Sequence, residues 1–423
     1  MNTAPHSPGQ TRQPVILVIG TGDTKSDELQ FMAGTIREAG ATPVMVDVSV
    51  LSDPPYAPDY SRHDIARAAG TSIEAIIASG DENSAMALMS AGAAALAVDL
   101  HAAGQADGVI ILGGSMGTDL ALDVAAALPL GVPKFVVSTI AYSHLVPAER
   151  IAPDLMMILW TGGLYGLNEI CRSVLSQACG AVVGAARSGV KPRQDRPLIG
   201  MTSLGSSCLR YMKTLKPELE KRGYEVAVFH STGMGGRAFE AIAAQNGFAA
   251  VFDFCLQEVV NHQNGTVVTS GPDRMENAGR AGTPQIVAPG AIDMVDLPAW
   301  QPRPPSLVDR PYHAHNRLLG SVTTSPDGRR ATAALIGRKL AGSKAPVAFL
   351  LPLAGIQEWD RPGEALHDPD GLEAFVEAMR PALPEFVELH EIDDHINSPR
   401  FSAKALAVFD DWVARGIVPQ GRP

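Results

Sequence analysis

The feature that most constrains the fold of this chain is the regular alternation of short apolar runs with longer amphipathic segments. This alternation is typical of βαβ units, in which helices cover both faces of a parallel sheet. The pattern runs through two halves and starts again after residues 188–197. It predicts an α/β protein of two doubly wound, Rossmann-like parallel-sheet domains with an interdomain cleft. The predicted strands are 14–20, 43–50, 108–114, 133–140, 155–160, 197–204, 225–231, 249–255, 284–288, 346–352 and 387–392, and the predicted helices of the first half are 26–39, 73–103, 118–128 and 166–187.

Four segments follow from this pattern. Residues 1–13 are polar and contain proline, so we expect a disordered leader. We expect residues 14–187 to form an N-terminal α/β domain, and the glycine-rich turns described below predict that it is a nucleotide-binding domain. Residues 188–197 combine proline, glycine and charge without periodicity, which is typical of a linker. Residues 198–423 form a C-terminal α/β domain.

Charge and hydropathy argue against several classes of partner. The formal net charge is −11 and the pI is about 5.5, which leaves no electrostatic basis for binding nucleic acid. The four cysteines form no C-x-x-C pair, as expected of thiols in a reducing cytoplasm. Residues 84–103 come closest to a membrane span, but their small residues and Asp99 suit a buried helix. We therefore expect a cytoplasmic protein that binds neither nucleic acid nor membranes.

A first glycine-rich turn directly follows a predicted strand and precedes a predicted helix. Glycines allow close approach of an anion, and a helix N-terminus supplies unpaired N–H groups. The spacing is neither a Walker loop nor a dinucleotide fingerprint, and a purely structural turn stays possible. Asp47, at the end of the next strand, occupies the position of a ribose-binding acid in doubly wound sheets. The candidate nucleotide-binding residues here are Gly20, Thr21, Gly22, Asp23, Thr24, Lys25 and Asp47.

A second glycine-rich turn follows the strand at 108–114. Because both turns leave the carboxyl edge of parallel strands, they converge on one crevice if their strands neighbour the topological switch point. Asp23 and Asp119 are candidate metal ligands. The candidate nucleotide-binding residues of this turn and of the following strand end are Gly113, Gly114, Ser115, Gly117, Thr118, Ser138 and Thr139.

The second half concentrates glycine turns, histidines and acids. Arginine at a helix start binds carboxylate or phosphate, and imidazole and carboxylate groups serve as general acid and base or as metal ligands. Solvated or structural histidines remain an open alternative, and H-E-x-x-H is absent. The candidate catalytic residues are His230, Glu258, Asp293 and His395, and the candidate substrate-binding residues are Gly235, Gly236, Arg237, Asp273, Arg274, His313 and His315.

Several strings occur together in a specific order over nearly the whole chain. They are IGTGDTK, LGGSMGT, VSTIA, FHSTGMGGRAFE, SGPDRMENAGRAGTPQIVAPGAIDMV, HNRLLGSVTTS, LLPLAG and DDHIN. In these strings the sequence resembles the bacterial and fungal family related to the ATP-binding domain of the tomato mosaic virus resistance protein. The resemblance implies two α/β subdomains, ATP with Mg²⁺ on the first of them, and homodimerisation.

The chain departs from the family pattern at three places. Gly22 replaces a frequent cysteine, Met116 replaces a glycine of GGSGGT, and FDFCLQEVVNH stands where TTTEL is usual, although Glu258 keeps the acidic position. The leading hypothesis is an ATP-binding enzyme that acts on a small carboxylate or sugar-acid-like metabolite in the cleft. The alternatives are a non-catalytic module controlled by nucleotide and a metal-dependent hydrolase or lyase that uses the C-terminal histidines and acids.

Overall fold

A computed structural model describes residues 12–160, 166–189, 195–205, 208 and 210–422. The predicted leader lies largely outside the described residues, as does the middle of the predicted linker. The chain divides into two compact units, residues 1–192 and 193–423. Each unit holds a parallel sheet with helices on both faces, so the predicted fold class of two Rossmann-like domains is confirmed.

Unit 1 has a five-stranded sheet in the order β2-β1-β3-β4-β5 in the part of the chain that the structure describes, and all of its pairings are parallel. One face packs against α1 and α6 and the other against α2 to α5. The strands are β1 Val15–Gly20, β2 Thr42–Asp47, β3 Gly108–Gly113, β4 Lys134–Ser138 and β5 Leu155–Leu159, and the helices are α1 Ser26–Glu38, α2 Arg62–Ala68, α3 Ile73–Ala78, α4 Glu82–Ala102, α5 Ser115–Ala127 and α6 Glu169–Ser188.

The segment predicted as one helix over 73–103 is two helices. Gly80 adopts φ 80°, a left-handed conformation that ends α3. The carboxylate of Asp81 then accepts a hydrogen bond from the Ser84 N–H and caps α4. By length and composition α4 could cross a membrane, but it packs against α2 and α5, and core helices of soluble proteins meet the same criteria. A carbon added at Gly92 would lie 2.1 Å from the carbonyl oxygen of Ile65, so the helices α2 and α4 are in close contact.

Unit 2 contains a six-stranded parallel sheet in the order β14-β13-β9-β8-β6-β7 and a small antiparallel sheet in the order β10-β12-β11. Helices α7 and α13 cover one face of the large sheet, and α8 to α12 lie on the other. The strands are β6 Leu198–Ser203, β7 Glu225–His230, β8 Ala250–Cys255, β9 Gln285–Gly290, β10 Met294–Pro298, β11 Tyr312–Ala314, β12 Leu319–Thr323, β13 Val347–Pro352 and β14 Glu388–Ile392, and the helices are α7 Arg210–Lys221, α8 Met234–Ala244, α9 Gln257–Gln263, α10 Asn277–Ala281, α11 Pro326–Leu340, α12 Pro369–Ala382 and α13 Pro399–Ala414.

The antiparallel sheet flanks residues 296–311, a proline-rich stretch of the sequence without a strand or helix pattern. Strand β10 enters this segment as far as Pro298, and its partner β12 lies about twenty residues further on, with Asp296 opposite Ser321. The sheet lies against helix α9, and Val295 and Val322 belong to the same apolar core as Val259. This insertion brings acidic and hydroxyl side chains to the carboxyl edge of the large sheet.

Candidate functional site

The two glycine-rich turns of unit 1 lie next to each other. Strands β1 and β3 are neighbours, with Ile19 paired to Ile111. Helix α1, which follows β1, packs on one face of the sheet, and helix α5, which follows β3, packs on the other. This reversal defines the topological switch point, the usual ligand position in open α/β sheets. The structure thus brings residues 20–25 and 113–118 together.

Asp47 shapes the first turn from inside the protein. Its Oδ1 accepts hydrogen bonds from the Gly22 N–H (3.0 Å) and from the hydroxyl of Ser49, whose oxygen accepts from the Asp23 N–H (3.0 Å). The side chain is fully buried, Oδ2 has no partner among the described residues, and burial raises the pKa of the carboxyl group. A Cβ at position 22 would lie 2.7 Å from the hydroxyl of Tyr56. The predicted ribose contact would therefore require Asp47 to become exposed.

The second turn is tightly closed at one glycine and open at the next. A Cβ at Gly113 would lie 2.4 Å from the Cα of Gly117, whereas a Cβ at Gly114 would meet nothing nearer than the Thr139 hydroxyl oxygen at 3.8 Å. Buried Thr118 and Ser138 share a hydrogen bond of 2.7 Å between their hydroxyl oxygens, which ties the helix start to strand β4. Open space is thus available directly over Gly114.

The helices after both turns begin without a side-chain cap. The N-cap residues are Lys25 for α1 and Gly114 for α5, and neither makes a side-chain cap hydrogen bond. In contrast, α2, α3, α4 and α6 of the same unit begin at a serine, aspartate or asparagine whose side chain accepts a first-turn N–H. First-turn N–H groups have no partner within the helix and attract anions. The two uncapped helix starts of the switch point could therefore hold a phosphorylated ligand.

The two candidate magnesium ligands differ in their surroundings. Asp119 and Asp123 both pair with Arg150, so the carboxylate of Asp119 already has a cationic partner. Asp23 lies in the first turn and accepts a weak hydrogen bond of 3.4 Å from the Ser52 N–H. Among the described residues no three His, Cys, Asp or Glu side chains gather in a way that could hold a metal ion by themselves. Asp23 is thus the better placed of the two toward a metal that phosphate oxygens also bind.

In unit 2, the protein's own Glu258 occupies the corresponding glycine turn. Its Oε1 accepts hydrogen bonds from the Gly233 N–H (2.7 Å) and the Gly236 N–H (3.0 Å). A Cβ at Gly235 would lie 1.9 Å from the carbonyl oxygen of His230, and one at Gly236 would lie 1.8 Å from Glu258 Oε2. The N–H of Gly236, which was predicted to bind substrate, is therefore satisfied within the protein.

Two predicted substrate-binding arginines are also engaged internally. Arg237 pairs with Asp273 at 2.8 Å. Arg274 is completely buried and binds three carboxylates: Asp253 at 2.5 Å, Glu258 at 2.9 Å and Glu240 at 3.3 Å. Burial raises the pKa of Glu258, and it raises the pKa of Glu240 to about 7, although Arg274 opposes both shifts. Glu258 and Arg274 therefore form part of a buried ionic network.

The predicted catalytic residues His395 and Asp293 lie in a second buried network. The His395 Nδ1 accepts a hydrogen bond from the Asn397 N–H (3.0 Å), which leaves Nε2 to donate to the Gln357 carbonyl (2.9 Å). The Gln357 side-chain amide donates to Asp293 Oδ2 (2.9 Å), and Oδ1 of the same carboxyl has no partner in the described structure. Burial and nearby Asp360 raise the pKa of Asp293 to about 6 against the opposing charge of Arg329.

His230 and His315 lie elsewhere, at the rim of a pocket at the carboxyl edge of the large sheet. They face two buried side chains that sequence reasoning missed, Gln257 and Asp296. His313 stacks on Trp359, with ring centres 4.1 Å apart, and burial lowers the pKa values of His230 and His313. The pocket has a volume of about 60 Å³ and is lined by Leu204, Gly205, His230, Thr232, Gln257, Met294, Asp296, His315, Leu319, Ser321 and Trp359.

The sequence signal for Asp296 is its position in the apolar run AIDMVDLP, in which Asp293 is the other acid. Buried acids in such runs are rare unless they are hydrogen-bonded, so the run itself marks a special position. Gln257 had no signal, since it stands at the start of a short helix beside the more conspicuous Glu258.

The architecture defines a two-unit, doubly wound α/β protein with candidate ligand sites at the carboxyl edges of its parallel sheets. The chain belongs to the uncharacterised protein family UPF0261, whose N-terminal domain model matches residues 14–191 and whose C-terminal domain model matches residues 196–413. A UPF0261 protein of Brucella melitensis is 68% identical over 97% of this chain and 98% of its own length.

A more distant relative is the ToMV resistance protein Tm-1(GCR237) of Solanum lycopersicum. It is 28% identical over 98% of this chain but only 57% of its own length. Among solved structures, the glycosyltransferase SnogD of Streptomyces nogalater matches 94% of this chain and 100% of its own, with 12% identity and a TM-score of 0.18. A TM-score this low is no evidence of a common fold or function.

Proposed function

We propose that this protein binds ATP together with Mg²⁺ at the switch point of unit 1. The observation that carries the proposal is the pair of glycine-rich turns at neighbouring strand ends, each leading into a helix without a side-chain cap. Two helix N-termini and their amides provide the positive potential that a triphosphate needs. The turn sequences IGTGDTK and LGGSMGT also resemble the family of the tomato resistance protein's ATP-binding domain, and this resemblance supports the same ligand.

The proposed roles follow from the local geometry. Ser115 and Met116, in the first turn of α5, are exposed residues. Their backbone N–H groups would donate to phosphate oxygens above Gly114. Lys25 would add a positive charge at the start of α1. Asp23 would bind the magnesium ion alongside phosphate oxygens, which is the usual coordination of Mg²⁺ by proteins.

The test uses isothermal titration of the full chain with ATP and Mg²⁺. Gly114→Val places a side chain in the open space over the turn, and we expect the affinity for ATP to fall at least about tenfold. We expect Lys25→Ala to weaken binding as well. Gly34→Ala is the matched control, because a Cβ there meets nothing within 4 Å. Unchanged affinity in both Gly114→Val and Lys25→Ala would remove the proposed phosphate site.

The proposal extends to an enzyme that acts on a small carboxylate or sugar-acid-like metabolite, since unit 2 contains the pocket with His230, His315 and Asp296. The alternative is a binding module that nucleotide controls without turnover. A screen of ATP with small hydroxy acids distinguishes them: an enzyme yields a new product, whereas a binding module yields only binding and stabilisation.

A further inference from the structure

The buried floor of the unit 2 pocket presents two hydrogen-bond acceptors without donors. Asp296 Oδ2 and Gln257 Oε1 are buried, and neither has a hydrogen-bond partner in the described structure. Both residues are less than 2% exposed and line the same pocket. Buried acceptors are rarely left unpaired in folded proteins, so a donor from outside the protein is expected.

The orientation of both acceptors is fixed by their neighbours. Asp296 Oδ1 accepts hydrogen bonds from Gln257 Nε2 (2.7 Å) and from the Ser321 hydroxyl (2.6 Å). Because Gln257 Nε2 is used in this way, its Oε1 is the atom left without a donor. The backbone N–H of Asp296 donates to Asn261 Oδ1 (2.7 Å), which holds the strand in place behind the carboxyl group. The floor is therefore preorganised to accept hydrogen bonds.

The rim supplies complementary groups. The Nδ1 of His230 accepts a hydrogen bond from the Gly205 N–H (3.3 Å), so its Nε2 carries the proton when the ring is neutral. His315 and the ring of Trp359 line the same rim, and Leu204, Met294 and Leu319 give apolar contact area. A ligand that matches this lining has hydroxyl donors on a short carbon chain.

We propose that this pocket binds a small polyhydroxylated compound, a three- or four-carbon polyol or hydroxy acid that extends past the open rim, whose adjacent hydroxyls donate to Asp296 Oδ2 and Gln257 Oε1. Binding at this pocket does not depend on the ATP site of unit 1. Burial raises the pKa of the Asp296 carboxyl group, while its hydrogen bonds and His315 lower it. A ligand hydroxyl that donates to Asp296 Oδ2 is placed to lose its proton to that oxygen, which is the arrangement needed for general-base activation.

The experiment titrates the full-length protein with erythritol and with D-erythronate and follows the imidazole Cε1–H signals by NMR. His230→Gln and His315→Gln assign the two signals. We expect saturable shifts at His230 and His315 from at least one of these compounds and none from butyrate, which has the same carbon count and no hydroxyl. The absence of pocket shifts with both hydroxylated compounds, or equal shifts with butyrate, would overturn the proposal. Tighter binding of 1,4-diaminobutane than of the hydroxylated compounds would also overturn the proposal, because it would show that the pocket binds cations.

Asp296→Asn tests the acceptor directly. Asparagine has nearly the same shape, but its Oδ1 is retained by the two inner donors, so its NH₂ group replaces the acceptor that faces the ligand. We expect affinity to fall at least about tenfold, as in sites built to pair a ligand hydroxyl. Asp327→Asn, an exposed carboxylate of the same unit, is the matched control and should leave binding unchanged.

A second variant covers the case in which Asp296→Asn does not fold. Leu319→Trp fills the rim from a half-buried position without changing charge, and we expect it to abolish the histidine shifts. Retained shifts in Leu319→Trp would place the ligand elsewhere and contradict the proposal. The two proposals can fail separately. If the protein does not bind ATP but the His230 and His315 signals still shift with the hydroxylated compounds, only the function proposed for unit 1 is wrong.

Discussion

At the scale of single residues, the strongest electrostatic interaction of unit 2 surrounds Arg274. One guanidinium group satisfies Asp253, Glu240 and Glu258, and all four side chains are almost completely buried. A buried charge is tolerated only with partners, and removing one partner leaves the others uncompensated. The network also links the glycine turn at Gly233 to strand β8, because Glu258 contacts both the turn amides and Arg274.

The first prediction concerns this arginine. Arg274→Met keeps much of the side-chain volume and removes the charge, so we expect the free energy of unfolding to fall by about 3–5 kcal/mol. Urea unfolding followed by tryptophan fluorescence measures the change. Arg330→Met is the control, because Arg330 pairs with exposed Asp327 on the surface. We expect this substitution to lower the free energy of unfolding by no more than about 1 kcal/mol. Equal losses in the two variants would contradict a central role for the buried network.

The second prediction concerns the pH dependence of stability. The pKa of Glu240 is raised from 4.5 to about 7 in the folded protein, so folding favours its protonated form. The contribution of Glu240 to the free energy of unfolding is complete below pH 4.5, and it is lost as the pH rises from 4.5 through 7. We expect Glu240→Gln to reduce the loss of stability between those pH values. Urea midpoints measured at several pH values check this, with exposed Glu373→Gln as the control. An unchanged slope in Glu240→Gln would mean that Glu240 titrates normally.

At the scale of the elements, the contact between strand β3 and helix α5 depends on glycine at only one of two adjacent positions. A Cβ at Gly113 would meet the backbone of Gly117, whereas one at Gly114 points into open space. We therefore expect Gly113→Ala to destabilise unit 1 by about 1–3 kcal/mol through overpacking. Gly114→Ala should leave stability within about 0.5 kcal/mol. Thermal unfolding of the two variants makes the comparison, and similar melting temperatures would show that the turn relaxes freely.

The sequence predicted the large sheets well because their strands are buried on both faces. Continuous apolar runs such as β3 and β8 have few alternative structures, and every residue of both strands is buried. The helix predicted over 73–103 missed a signal that the sequence does contain, because residues 79–84 read SGDENS and interrupt the apolar pattern at Gly80 with a glycine and an N-cap aspartate. Local turn conformation and capping, rather than hydropathy, determine that boundary.

The site was less predictable because its groups are assembled by tertiary contacts. The glycine turns of unit 1 were visible as motifs in the sequence, and the two turns lie close together because strands β1 and β3 are neighbours in the sheet. The same motif in unit 2 is filled by Glu258, which no local pattern distinguishes from a catalytic acid. Asp296 and Gln257 meet only because β10 pairs with β12 to form the small sheet over α9.

At the scale of the whole molecule, each unit has its own sheet and its own apolar cores. The clusters around β1 and β3 consist of residues of unit 1, and those around β8 and β13 consist of residues of unit 2. A ligand that binds only the folded form of one unit stabilises that unit by RT ln(1 + [L]/Kd), about 2.7 kcal/mol at one hundred times Kd. Ligand-induced protection should therefore distinguish the two units.

We accordingly expect saturating ATP with Mg²⁺ to slow amide hydrogen exchange in residues 20–25 and 113–118 and in strands β1 and β3. The core amides of β8 and β13 should exchange at their original rates, because the nucleotide contacts neither strand in the proposed complex. Hydrogen exchange followed by mass spectrometry of peptides measures both sets in one experiment, with Gly114→Val as the control that should lose the protection. Protection confined to unit 2 would mean that the nucleotide binds in unit 2, and the glycine turns of unit 1 would then be structural.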